Sequence, residues 1–346
     1  MEPETKGSFA DFLKKKGVEI SWQRYGIDAM GSMALGLFAS LLIGTIFSTV
    51  AQHLPFMTWL TPAADFAKSA AGPAMAVAIA WALKAPPLVL FSCAAVGAAG
   101  NALGGPVGTL LASLVAAELG KMVSKETRVD ILATPAATII AGVLVARLAG
   151  PPVSGLMLWL GRLVMLFTEL QPFFMGMLVS ALVGIVLTLP ISSAALCVML
   201  ELSGLAAGAA TAGCCAQMVG FAVLSFRENR WGGLLSQGLG TSMLQMPNIM
   251  RNPRIWLPPT LASLVTGPLA TIVFRLENIP VGAGMGTSGL VGPIGILTAM
   301  PEGGARMWLG IALVCFLLPG VLSWLLGIFF RRIGWIRPGD LKLDIQ

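Results

Sequence analysis

Apolar runs of bilayer length alternate along this chain with short breaks rich in glycine, proline and uncharged polar residues. Ala29 to Val50 is the first run, and a long apolar stretch from 71 to 120 follows, interrupted by Lys84, Pro86, Pro87 and Asn101. Ile131 to Val145, Val153 to Phe167, Phe173 to Leu200 (broken at Pro190), Leu202 to Leu224, Leu257 to Phe274 and Trp308 to Phe330 complete the series. A helix crosses the hydrocarbon core with about twenty apolar residues, so the pattern predicts an all-α polytopic membrane protein of about 8–10 transmembrane helices. Some of these are expected to be broken helices or re-entrant hairpins. Turns are expected at "GPP" (150 to 152) and "TELQP" (168 to 172). Glycines at 100, 104 and 108, and again at 204 and 208, have the spacing that lets helices pack closely in lipid.

Composition agrees with the pattern. Of 346 residues, 56% are hydrophobic and 11% charged, with a mean hydropathy of +0.84, whereas soluble domains carry about 25% charged residues. The net charge of +6 is no nucleic-acid signature, because the cations gather at the two ends and in short breaks. Lys14 to Lys16 and Arg24 precede the first run; Arg331, Arg332, Arg337 and Lys342 follow the last. Cytoplasmic segments carry such an excess, so both termini are expected inside. The chain is divided accordingly into a cytoplasmic tail with a candidate interfacial helix (1–27), a transmembrane domain (28–330) and a second cytoplasmic tail (331–346).

Little conventional chemistry is available. The five cysteines lie within apolar stretches and read as small buried hydrophobes. No Cys or His spacing fits a metal site. The lone histidine, His53, has no motif context, and no phosphate-binding loop or nucleophile–base pair is present. No catalytic residue, metal or cofactor is expected.

The breaks are the informative part. "IPVGAGMGTSGLVGPIG" (279 to 295) holds six glycines and two prolines without a charge. "GNALGGPVG" (100 to 108), "LPISSAA" (189 to 195) and "GLGTSMLQMPNI" (238 to 249) share its character. Non-helical backbone at membrane depth is tolerated only where protein buries it or where it lines a wet cavity. Four such breaks therefore predict a shared cavity, lined by Asn101, Ser192, Ser193, Thr241, Ser242, Gln245, Asn248, Thr287 and Ser288. Donors and acceptors without fixed charge suit a neutral, hydroxyl-rich solute. An acid at membrane depth is a further candidate: Glu169 lies seven residues after Arg162, on one helical face if the helix continues.

The runs "KAPPLVLFSCAAVGAAGNALGGPVG", "ELQPFFMG", "LPISSAA", "SFRENRWGGLLSQGLGTSMLQMPNI" and "ENIPVGAGMGTSGLVGPIG" resemble the EIIC-like membrane family. This family is grouped with the sugar permease subunits of the bacterial phosphotransferase system and also includes a toxin-gene regulator of clostridia. The resemblance implies a homodimeric inner-membrane permease with re-entrant hairpins around a sugar site. It also implies a separate cytoplasmic IIB component as phosphorylating partner. In the wider group a glutamate at a re-entrant tip and a histidine contact the sugar. Here the glycine-rich hairpin holds no acid, and Glu169 and Glu277 are the nearest stand-ins. Gln171, Gly284 and Gly286, inside the matched motifs, complete the candidate set. The expected function is alternating-access movement of a sugar-like solute. Two alternatives stand beside it: a membrane sensor that keeps the permease fold, and an ion-coupled transporter without phosphorylation.

Overall fold

The structure is a computed structural model and describes residues 9 to 343. Among the described residues the secondary structure is helical, apart from one isolated β-bridge between Gly204 and Asn278. Among the described residues six helical segments are, by length and composition, long and apolar enough to cross a membrane: Gln23–Gln52, Pro87–Val123, Asp130–Thr168, Gly204–Leu224, Pro253–Phe274 and Gly304–Arg332. Ala71–Ala82, Pro172–Thr188 and Ser288–Ala299 are apolar but shorter. The chain divides into two compact units. One comprises the residues up to Leu37 together with Ala70–Val153, the other Phe38–Ser69 with Ser154–Gln346.

In the first unit Ala71–Ala82 packs on both Ala29–Leu37 and Pro87–Val123. The contact is made through backbone: a Cβ on Gly36 would lie 2.6 Å from the Ala74 carbonyl oxygen. Gly72 and Gly97 touch so closely that a Cβ on either would strike the other's carbonyl. The Pro87–Val123 segment is not one straight helix. Gly104 (φ −149°, ψ 17°) and Gly105 (φ 58°, ψ −153°) leave helical geometry just before Pro106, and Gly105 occupies a region that only glycine enters without strain. The chain doubles back there. A Cβ on Gly100 would sit 2.8 Å from Thr109 Cα, one on Gly120 would sit 2.7 Å from Val89 Cγ1, and Val96 joins Ala112 and Ala116 in one cluster. Residues this far apart in sequence meet only if two antiparallel arms form a helical hairpin. The spacing of Gly100, Gly104 and Gly108 therefore reflects a turn and its flanks rather than one continuous packing stripe.

Cations fasten the N-terminal segment to this hairpin. Lys16 Nζ donates to the Ser124 carbonyl (2.5 Å), Arg24 Nη2 to that of Leu83 (2.7 Å), and Lys121 Nζ to those of Gly17 (2.9 Å) and Leu83 (3.1 Å). Leu83 and Ser124 cap helix C-termini, where carbonyls lack helical partners and the dipole favours positive charge. Lys16 also pairs with Glu126, and its hydrogen bond holds that exposed carboxyl below the usual carboxylate range. Val18 is buried, whereas Ile20 faces outward.

Two sequence expectations about turns have different outcomes. The turn at Glu169–Gln171 forms, whereas helix continues through Gly150, Pro151 and Pro152. Proline fixes φ near a helical value, which lets the helix run on through the pair, although each ring removes a backbone hydrogen bond and presses on the carbonyl four residues earlier.

The second unit is built around Gly204–Leu224, which is almost wholly buried and packs on Pro172–Thr188, Leu257–Pro268 and Leu318–Arg332. Glycine again brings backbones together: a Cβ on Gly184 would lie 2.7 Å from the Gly213 carbonyl oxygen, and one on Gly176 2.9 Å from that of Gly267. Gly208 abuts the Leu276 carbonyl, while Gly204, at φ +62°, is where the helix begins. All five cysteines are buried and free.

The C-terminal segment lies in a cleft lined by amides. Asn229 Nδ2 (2.8 Å) and Gln245 Nε2 (3.0 Å) donate to the Leu341 carbonyl, and Asn248 Nδ2 donates to that of Lys342 (2.8 Å). The N–H groups of Leu341 and Leu343 donate to Glu228 Oε2 and Asn229 Oδ1, at 2.9 and 2.8 Å. Asn252 Nδ2 reaches the Trp335 carbonyl and Asp340 Oδ2, while Ile336, Leu341 and Leu343 are buried.

Two outcomes follow from these contacts. Gly97→Leu must push apart two touching backbones, so its melting midpoint in detergent falls by the equivalent of about 1–3 kcal/mol or more. Gly155→Leu, with nothing within 4 Å of its Cβ position, leaves the midpoint unchanged. Asn248→Ala strands the Lys342 carbonyl at a cost of about 1–3 kcal/mol, and trypsin then cleaves after Lys342 under conditions that spare the parent chain.

Candidate functional site

Three of the four breaks meet in the second unit. The glycine-rich segment forms a second helical hairpin, with Pro280–Ala283 as one arm and Val291–Ala299 as the other. Its arms touch at Gly282 and Gly295, where an added Cβ would be 3.1 Å from the opposite Cα. The turn between them uses Gly286 (φ +54°) and Gly289 (φ +52°), positions that only glycine fills cheaply. Buried Asn278 sets the base of this hairpin. Its Nδ2 donates to Thr211 Oγ1 (2.6 Å) and the Gly292 carbonyl (3.0 Å), its Oδ1 accepts the Ile279 N–H (2.7 Å), and its backbone forms the bridge with Gly204.

The hairpin tip is tied to the other two breaks. Ser193 Oγ donates to the Gly284 carbonyl (2.7 Å), joining it to the break after Thr188. Thr287 Oγ1 donates to the Gly238 carbonyl (2.5 Å), joining it to the break before Thr241. The third side is closed by the hydroxyls of Thr188 and Ser242, 2.8 Å apart. Gly286 lies on the central helix, so that a Cβ there would be 2.7 Å from Cys214 Cβ. Beside the junction, Gln217 extends the polar network: its Nε2 donates to Thr260 Oγ1 (3.1 Å), and its Oε1 accepts Trp256 Nε1–H (3.0 Å). Every side chain named in this junction is uncharged.

The remaining expected site residues have other settings. Ser192 accepts the Ala195 N–H and Thr241 accepts that of Met243, both as helix caps, while Ser288 is buried at the tip. Gln245 and Asn248 direct their amides to the C-terminal segment, and Gln245 Nε2 also donates to Gln237 Oε1 (2.9 Å). Glu169 and Gln171 are exposed. Glu169 and Arg162 line an open groove of about 430 Å³ with Leu158, Met165 and Leu200, although the helix ends at Thr168 and Glu169 stands in the turn that follows. Glu277 is exposed beside Asn278, its N–H donating to the Met300 sulfur. Asn101 belongs to the first unit, half-buried just before the hairpin turn. Among the described residues no group of three His, Cys, Asp or Glu side chains stands close enough to hold a metal.

The sequence reasoning missed Thr188, Gln217, Trp256, Gln237 and Asn278. A signal existed for two of them. Gln217 is the one amide inside an otherwise apolar helix, and Asn278 immediately precedes the glycine-rich run. A polar side chain at membrane depth marks either a partner or a site.

Neither a curated protein nor a solved structure matches this chain. A family model described as "Phosphotransferase system, EIIC" matches residues 27–343. That span takes in both helical hairpins, the three-way junction and the docked C-terminal segment up to Leu343. With nearly the whole chain covered and its helices of membrane-spanning length, this protein belongs to the phosphotransferase-system EIIC family of membrane proteins.

Proposed function

We propose that this IIC-type permease takes a small neutral polar solute, a sugar or sugar-like molecule, at the junction of its three breaks. The solute then crosses the bacterial inner membrane by alternating access. The observation that carries the reading is the convergence itself: Ser193 on Gly284, Thr287 on Gly238 and Thr188 on Ser242, all uncharged and all buried among apolar helices. Hydroxyls and glycine carbonyls that bond one another can exchange those bonds for bonds to a polyhydroxylated guest at small net cost, because hydrogen bonds are traded rather than lost. A fixed charge in their place would favour an ion. Trp256 beside Gln217 adds an apolar face of the kind that sugars pack against.

The glycine-rich hairpin is the element proposed to move. It is short, and its tip is held to the neighbouring breaks through the hydroxyls of Ser193 and Thr287. The orientation proposed is both termini inside, following the positive clusters at the two ends of the chain. A separate cytoplasmic IIB component would then meet the solute on that side, in a protein acting as a homodimer.

The test is binding of radiolabelled sugars and polyols to the purified protein, followed by uptake into proteoliposomes. Thr287→Val keeps the side-chain volume and removes the hydroxyl; with Ser193→Ala it weakens binding about tenfold each, near 1.4 kcal/mol. Glu169→Gln, in the separate groove, leaves binding intact. Binding unchanged in both junction variants overturns the site. Binding without accumulation, even with phosphoenolpyruvate and the phosphotransfer proteins present, would instead mean a sensor. Uptake that needs no phosphoenolpyruvate but collapses with an ionophore would mean ion coupling.

A further inference from the structure

We infer that the second unit carries a binding site for the phosphodiester headgroup of an anionic membrane lipid, formed by Arg227 and Arg331 above an apolar wall that includes Trp324. A cavity of about 200 Å³ lies among the end of Gly204–Leu224, the Phe226–Leu235 helix and Leu318–Arg332, lined by Leu224, Phe226, Leu234 and Trp324 with the two arginines.

Its position is that of a headgroup pocket. Arg331 stands at the polar end of Gly304–Arg332, a strongly apolar helical segment long enough to cross a membrane. Trp324 lies seven residues earlier, on the same helical face and about 10 Å farther along the axis. The cavity therefore has cations at its polar mouth and apolar side chains toward the bilayer core, matching a phosphate above a glycerol and the first acyl carbons. The Phe226–Leu235 segment, broken at Arg230 (φ 52°, ψ −149°), presents Trp231 and Leu235 just after the break, 68% and 54% exposed. Outward tryptophans are characteristic of the membrane–water interface.

The charge balance also favours an anion. Arg331 Nη2 donates to the Leu224 carbonyl (3.0 Å) and Glu228 Oε1 (3.5 Å), which fixes its guanidinium while leaving other N–H groups for a ligand. Glu228 is the acid in contact with this pair, and its other oxygen accepts the Leu341 N–H (2.9 Å). It offsets Arg331 alone. Arg227 is exposed, and among the described residues it makes no hydrogen bond or ion pair. One guanidinium is thus uncompensated beside one held rigid, and a phosphodiester can bridge two such planar donors.

The test places the full-length protein in nanodiscs of phosphatidylcholine doped with phosphatidylglycerol and counts retained lipid by native mass spectrometry. The parent retains phosphatidylglycerol in preference to phosphatidylcholine. Arg227→Gln lowers that retention about fivefold, as expected for one cation near a lipid phosphate, and keeps the parent melting midpoint in discs of phosphatidylcholine alone. Trp324→Ala lowers retention as well. Arg332→Gln removes the same charge one residue along the helix, outside the cavity lining, and behaves as the parent. Equal loss in the Arg227 and Arg332 variants would reduce the effect to general surface charge and overturn the site. Retention unchanged in Arg227→Gln would overturn it too. Displacement of the lipid by inorganic phosphate at matched concentration would assign the pocket to free phosphate instead, against the lipid reading.

Discussion

Lipid cannot hydrogen-bond a peptide group, and each N–H or carbonyl left unpaired in the hydrocarbon costs several kcal/mol. An apolar chain that breaks its helices has to supply partners from within itself. In the second unit the breaks near Pro190, Gly238 and Gly286 supply them to one another, with Ser193, Thr287 and the Thr188–Ser242 pair as the connecting groups. Asn278 does the same at the base of the glycine-rich hairpin, reaching two side-chain and backbone acceptors and taking one N–H. Short, low-charge connections of this kind hold the breaks in register without making the junction a permanent salt-bridged lock.

Close backbone contact is the second requirement. Between helices in lipid there is little hydrophobic drive, and packing comes from dispersion at short range. Gly72 against Gly97, Gly184 against Gly213 and Gly176 against Gly267 bring main chains together at the points where a side chain would separate them. The buried helix Gly204–Leu224 serves as the reference for the whole second unit. It packs on the neighbouring helices along one side and on the hairpin tip, through Cys214, along another.

Polar side chains at the helix ends have a different task. Lys16, Arg24 and Lys121 satisfy the carbonyls of helix C-termini, while Asn229, Gln245 and Asn248 satisfy the backbone of the C-terminal segment. The amides of "ENRWGGLLSQGLGTSMLQMPNI" are thereby divided between two roles. Thr241 and Ser242 face the junction or cap its helices, and Gln245 and Asn248 hold the chain's own tail. Gln237 joins both regions, since Gln245 donates to it and the adjoining Gly238 carbonyl accepts Thr287.

The sequence by itself determined that this is an all-α membrane protein, because run length and charge placement are local properties and bilayer thickness is fixed; its likeness to the EIIC family rests on the motifs at the breaks. It also located the breaks at residues 100–108, 189–195, 238–249 and 279–295, since glycine and proline act on the backbone where they stand. Only the tertiary structure decided what those breaks do. That Gly100 faces Gly108 across a turn, that Ser193 meets Gly284, and that Asn248 serves the tail depend on contacts between residues up to about a hundred positions apart. Such contacts are set by which helices pack together, and no local pattern specifies that. For the same reason Glu169 reads equally well in the sequence as a buried acid or an exposed one. The fold places it in an open groove, because the helix ends at Thr168 and the chain turns outward before Pro172.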